Sequence, residues 1–300
     1  MSWAEVKKIN SDMDMALDER MMLMKTKRDI YLASNTFVVP QTGYFLVTVI
    51  GKGGTPANAA YRLAYAGGGA GGVAQSLLYL QKNTSISITV NEAVSSFGAY
   101  LSATSGESPT STTGGTGGTA TGGNVFNIAG GTGGDGSGGR NDSGGDGGSV
   151  GITCCPSSGG GGGFAHPSPK RGGNGGEGYS PFPIANATDG QNGHTYVGGR
   201  AGSSGGGGGA GAGSGIAQVA SGGSGGGGAF GGGRGGKGGS VVTASAHYYG
   251  GGGGGGGGAF GGGGGGCAPP DTANASYRAE SGQGGAGAVI IEYTLVSQAD

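Results

Sequence analysis

The sequence predicts a mostly β and irregular protein. It is expected to combine an N-terminal α-helix, a small antiparallel β framework and a sandwich of polyglycine II helices with connecting loops. Three observations predict this. Short apolar runs frame both ends of a glycine-rich middle. The glycines, 84 of 300 residues, recur with a period of three. The opening segment has a composition shared by nothing that follows. Glycine at this level without a period reads as disordered low-complexity chain. The period and the framing strands argue against that reading.

Residues 1–35 form the first unit. All six methionines, the single tryptophan and twelve of the 33 charged residues (16 basic plus 17 acidic) fall before residue 33. Ser2 followed by Glu5 fits a capping box, which starts a helix at once. Trp3, Val6, Met13, Leu17 and Met24 keep a spacing of three to four with Asn10 and Arg20 as polar members, and Ile9, Ala16 and Leu23 broaden the stripe. The helix is expected to run to about Leu32. A methionine-rich apolar stripe needs a partner. That partner is an identical helix in a coiled coil, a larger assembly, or the chain's own domain. Trp3, Val6, Ile9, Met13, Leu17 and Met24 are the candidate oligomerisation residues.

Residues 36–92 form the β framework, with 288–300 returning to it. Phe37 to Val39 begins a strand. Tyr44–Ile50 (YFLVTVI) and Val73–Leu80 (VAQSLLYL) are apolar and rich in β-branched residues, and Ile86, Ile88 and Val90 alternate with polar neighbours. Ala288–Leu295 (AVIIEYTL) has the same character. It brackets the glycine region together with Tyr44–Ile50, so the two are expected in one sheet.

Residues 93–287 form the glycine-rich unit. GGTGGT (Gly114–Thr119), GGTGGD (Gly130–Asp135), GGNGGE (Gly172–Glu177) and GGRGGKGGS (Gly232–Ser240) each leave one residue in three that is not glycine. A left-handed helix with three residues per turn puts those side chains on one edge and leaves two edges bare. Bare edges let neighbouring chains approach and exchange backbone hydrogen bonds. Collagen would need one glycine in three and abundant proline, which this chain lacks. The GGX tracts are therefore expected at the bundle surface, with Thr116, Thr119, Asp135, Glu177, Arg234 and Lys237 facing solvent. Uninterrupted runs (Gly159–Gly163, Gly205–Gly209, Gly250–Gly258, Gly261–Gly266) are expected inside it. At about 3.1 Å per residue the longest run spans roughly 28 Å. Phe164, Phe230 and Phe260 close glycine runs and are expected to staple the bundle.

The pattern G-Y-x-x-V-T-V-I-G-x-G-G at Gly43–Gly54, the segment GGGAGGVAQSLLYL at Gly67–Leu80 and the terminal GGQGGAGAVIIEY at Gly282–Tyr293 resemble the glycine-rich domain of phage tail-fibre and receptor-binding proteins. The opening WAEVKKINSDM resembles the start of phage tail proteins. The resemblance implies a virion protein made in the host cytoplasm, and no signal peptide is expected because the first residues lack an apolar stretch. It further implies a homotrimer partnered by other tail or virion proteins. Loop tips joining the glycine helices would bind a bacterial surface receptor, either a glycan or an outer-surface protein.

The residues independently mark loops suited to that role. His166, Lys170 and Arg171 lie in Phe164–Arg171. Tyr179, Phe182, His194 and Tyr196 lie in Tyr179–Val197. His247, Tyr248 and Tyr249 close Val241–Tyr249, and Tyr277 and Arg278 lie in Cys267–Ser281. Aromatic side chains on rigid loops give large contact area at low entropic cost. The bland alternative is that these rings fold back as caps on the bundle.

Other functions find little support. A net charge of −1 favours neither nucleic acid nor an anionic membrane. No apolar run is long enough to span a bilayer. Cys154, Cys155 and Cys267 form no disulfide or zinc pattern and are expected to be reduced. The three histidines lie in separate loops, and the G-x-G-x-x-G matches are those expected of any glycine-rich chain. No enzyme activity, cofactor or metal site is expected. Two alternatives to an adhesin stand. One is a self-assembling structural fibre or virion decoration subunit that binds no receptor. The other is an ice-binding bundle, opposed by the charges at Asp135, Glu177, Arg234 and Lys237.

Overall fold

The computed structural model describes residues 24–56, 66–110, 112–135 and 281–296. Among them the chain is almost entirely β-strand and irregular, with no helix. Residues 1–23 of the expected helix, the uninterrupted glycine runs from Gly159 onward and the three stapling phenylalanines lie outside these residues.

One boundary is corrected. Met24, assigned to the helical stripe, opens a strand, β1 (Met24–Tyr31). The sequence MKTKRDIY alternates across the pleat, and β1 is an edge strand whose Lys27 and Arg28 are exposed. Charged side chains are the usual protection for such an edge.

Nine further strands follow: β2 (Asn35–Val38), β3 (Gly43–Ile50), β4 (Val73–Leu80), β5 (Ser85–Val90), β6 (Val94–Phe97), β7 (Leu101–Thr104), β8 (Ala120–Thr121), β9 (Phe126–Ile128) and β10 (Ala288–Val296). They form two five-stranded antiparallel sheets. The first has the order β1-β10-β3-β4-β9 and the second β2-β5-β6-β7-β8. The expected pairing of the two bracketing strands is present: Ala288 lies opposite Ile50 and Tyr293 opposite Phe45. The framework reaches beyond residue 92, because β6 to β9 belong to the same sheets.

The sheets pack face to face. The first contributes Phe45, Val47, Val49, Ala74, Leu80, Val289, Ile291 and Tyr293 to the core, and the second Phe37, Ile86, Ile88, Phe97, Leu101 and Ala103. In β5 the alternation SISITV buries Ile86 and Ile88 and exposes Ser85 and Ser87. Phe37 is the hub, with ring centroids 5.8 Å from Phe45, 6.0 Å from Phe97 and 6.1 Å from Tyr293. Phe37→Ala is expected to cost about 3–5 kcal/mol. That corresponds to a fall of roughly 10 °C or more in Tm, which a thermal melt followed by circular dichroism measures.

A polar cluster sits on the inward side of β1. The Tyr293 hydroxyl donates to Asp29 Oδ2 at 2.9 Å, and Lys27 Nζ pairs with Asp29 Oδ1 at 3.3 Å. Burial and the Asp29 carboxylate push the Tyr293 hydroxyl above its ordinary pKa. Hydrogen bonding to Tyr293 and Asp29 raises that of Lys27.

Candidate functional site

Six strands do not stop where their pleat ends. Beyond β3 the chain continues as residues 51–54, and residues 67–72 lead into β4. Residues 105–107 leave β7, 114–119 lead into β8, 130–134 leave β9 and 284–287 lead into β10. These segments are glycine-rich and form neither strand nor helix, yet they are bonded to one another through the backbone.

The bonding has a fixed interval. Gly51 and Gly54 N–H donate to Gly72 and Gly69 O at 2.9 and 2.8 Å. Gly67 and Ala70 donate to Gly134 and Gly131 (2.8 and 2.9 Å), and Gly69 and Gly72 donate to Glu107 and Thr104 (both 3.0 Å). Gly115 and Gly118 donate to Gly67 and Ala70 (3.0 and 2.8 Å), and Gly130 and Gly133 to Gly118 and Gly115 (2.8 and 2.9 Å). Within each pair of segments the donors are three residues apart. Segment 67–72 lies at the centre, bonded to four neighbours and buried throughout.

Glycine explains why this is possible. Facing sheets stand about 10 Å apart because side chains fill the gap, whereas hydrogen-bonded strands lie only about 4.8 Å apart. Where side chains vanish, the two sheets can converge and bond to each other. The bonds from Gly69 and Gly72 to Glu107 and Thr104 run from the continuation of the first sheet to that of the second. The approach leaves no room for a Cβ: one built on Gly71 would stand 2.0 Å from Gly51 O, and one on Gly118 2.1 Å from Thr104 O. In the tracts 114–119 and 130–135 the longer side chains point outward. Thr116, Thr119 and Asp135 are exposed, as the threefold period predicts.

The molecule therefore has two distinct ends. Met24 pairs with Val296 at one, here called proximal. The glycine segments run to the other, distal end. The connections 57–65, 108–113 and 136–280 all join segments there. Short polar side chains cap this end. Asp135 Oδ1 accepts from Gly114 N–H (2.7 Å), and Thr55 Oγ1 accepts from Gly284 N–H (2.9 Å). Ser108 Oγ accepts from Thr55 N–H (2.9 Å). Glu107 Oε2 accepts from the Thr116 N–H (3.1 Å) and hydroxyl (2.9 Å), which holds its carboxyl below the usual glutamate pKa. The outer face of the second sheet carries a row of hydroxyls in which Ser102 bonds to Thr121 at 3.0 Å.

His166, Lys170, Arg171, Tyr179, Phe182, His194, Tyr196, His247, Tyr248, Tyr249, Tyr277 and Arg278 all lie within 136–280, outside the described residues. Among the described residues no group of three or more histidine, cysteine or acidic side chains could hold a metal. No helix among them is long and apolar enough to cross a membrane. Sequence reasoning missed segment 67–72 as the central one. Its signal was present: GGGAGG is the densest glycine run in the framework, and its one side chain, Ala70, is fully buried. Compared with known proteins, the chain matches no family model and no curated protein.

Proposed function

We propose that this protein is a bacteriophage tail-fibre or tail-tip adhesin that binds a host cell-surface receptor through loops displayed on a polyglycine II scaffold. The observation that carries the reading is polarity. The described chain enters and leaves the sandwich at the proximal end, where Met24 meets Val296. The connections 57–65, 108–113 and 136–280 leave from the distal end. An adhesin needs that division between a root and a tip.

The three-residue interval of backbone bonds supports reading the glycine segments as polyglycine II helices. On this reading the GGX tracts and glycine runs within 136–280 continue the same lattice outward. The loops bearing Tyr179, His194, Tyr248, Tyr249 and Tyr277 are its receptor-facing tips. The receptor is a bacterial glycan or outer-surface protein. Residues 1–23 serve as a helix for attachment to other virion proteins or for homotrimer formation.

The test is adsorption of the purified chain to candidate host cells. Tyr248→Ser combined with Tyr249→Ser is expected to reduce bound protein at least tenfold with the melting curve unchanged. Equal adsorption by the variant would exclude that loop from the contact. No adsorption by the unaltered chain to any host would favour the structural-subunit alternative.

A further inference from the structure

The two faces of the first sheet differ from those of the second. In a sandwich the outer face of a sheet is normally polar. The second sheet follows this, with Ser85, Ser87 and Thr104 exposed on its outer side. The first does not. Its outer face carries Ile50, Val73, Ala288 and Ile290 toward the distal end, buried together as a second apolar cluster. Toward the proximal end it carries Leu46 opposite Leu77 and Tyr44 opposite Tyr79. This proximal half is open: Tyr44 is 66% exposed, Tyr79 57% and Leu77 47%. The two tyrosine rings meet edge to face, with centroids 5.1 Å apart. Beside them Glu292 lies opposite Leu46 and is bound by Arg28, whose Nε donates to Oε1 at 2.8 Å.

Exposed tyrosine and leucine rimmed by a charged pair is the composition of a protein–protein contact. The apolar run YFLVTVI in β3 is that of a strand covered on both sides. The occupant follows from where the chain continues. Residues 1–23 join at Met24, on the proximal edge of this same sheet. Copies held together through a helix in residues 1–23 would therefore meet at this end. The lattice lies at the other end.

We propose that the proximal half of the first sheet's outer face, centred on Tyr44, Leu77 and Tyr79, is a contact surface between copies of this chain. The inference rests on the oligomeric reading above and assigns it a surface. Arg28 and Glu292 form the rim, where each can exchange partners with the neighbouring copy.

Analytical ultracentrifugation of the full chain over a dilution series tests it. Tyr79→Lys and, separately, Leu77→Ser are expected to raise the dissociation constant of the oligomer roughly 30-fold or more. Val125→Lys is the control: Val125 is 52% exposed but lies between β8 and β9, and this variant is expected to leave association unchanged. An oligomer that resists both Tyr79→Lys and Leu77→Ser overturns the surface and leaves the oligomeric reading intact. A chain that stays monomeric at every concentration overturns both. In that case protection of Tyr44 and Tyr79 from chemical modification would give the face to the chain's own first residues. Circular dichroism of each variant confirms that the strands persist; if Tyr79→Lys unfolds, the Leu77→Ser result decides.

Discussion

Replacing Gly71 with valine is expected to abolish folding of the glycine lattice, whereas replacing Gly43 with alanine leaves the protein intact. A Cβ at Gly71 would stand 2.0 Å from Gly51 O and 2.3 Å from its carbonyl carbon. Both are backbone atoms bound into the lattice, since Gly51 N–H donates to Gly72 O. Neither can yield without breaking bonds in the segments around it. Overpacking by a methylene among side chains costs about 1–3 kcal/mol. Here three carbons must displace main chain, and the whole stability of a domain is only about 5–15 kcal/mol. At Gly43 a Cβ meets nothing within 4 Å, and the lower entropy of an unfolded alanine favours folding by about 0.4–1 kcal/mol. Thermal melts of both variants make the comparison. A Gly71→Val protein with the unaltered melting curve would mean that the segments are not packed at this spacing.

Excision of residues 136–280 is expected to remove host-cell adsorption and spare the fold. The segment before the excision, 130–134, and the segment after it, 284–287, are separated in the lattice by segments 67–72 and 51–54. Three steps of about 4.8 Å put their axes roughly 14 Å apart. A glycine–serine linker of eight residues spans about 16 Å and closes the gap. All ten strands and the backbone bonds among the six segments lie outside the excised stretch. The shortened chain should therefore melt within about 5 °C of the full chain, a change of about 1 kcal/mol. Binding to host cells should fall to background. A shortened chain that still adsorbs would move the receptor contact to residues 57–65, 108–113 or the sandwich itself. One that fails to fold would show that the sandwich depends on the excised region.

What could be read from the sequence follows the strength of the side-chain signal. Tyr44–Ile50, Val73–Leu80 and Ala288–Leu295 are long apolar runs, and they became the three inner strands of the first sheet. The outward placement of Thr116, Thr119 and Asp135 followed from counting in threes. β1 was misread because the methionines up to Met24 extend a helical spacing into a stretch where Lys27, Asp29 and Tyr31 alternate in a strand. β6 to β9 were hidden for a different reason. VSSF, LSAT, AT and FNI are too short to stand out, and the first three are also too rich in small side chains; they are strands because β5 supplies an edge on which β6, β7 and β8 add in turn and β4 supplies one for β9. The central position of segment 67–72 cannot be seen in side chains at all. It depends on which neighbours bring carbonyls within reach, and that is a property of the pairing of β3, β4 and β9. The candidate receptor residues stand out by composition alone, and nothing in the sandwich bears on them.

The three-residue interval of the lattice sets a rule for how such a protein can diversify. On the polyglycine II reading proposed above, adding or removing three residues in a glycine segment would shift it by one turn and restore every donor to a facing carbonyl. One or two residues would rotate the remainder by a third of a turn or more and aim each N–H at the wrong neighbour. Length variants in segments such as 114–119 or 130–134 should therefore survive selection in multiples of three. A scaffold held by main chain places no demand on the side chains it displays, so the recognition proposed for its loops could be rewritten while the support stays constant.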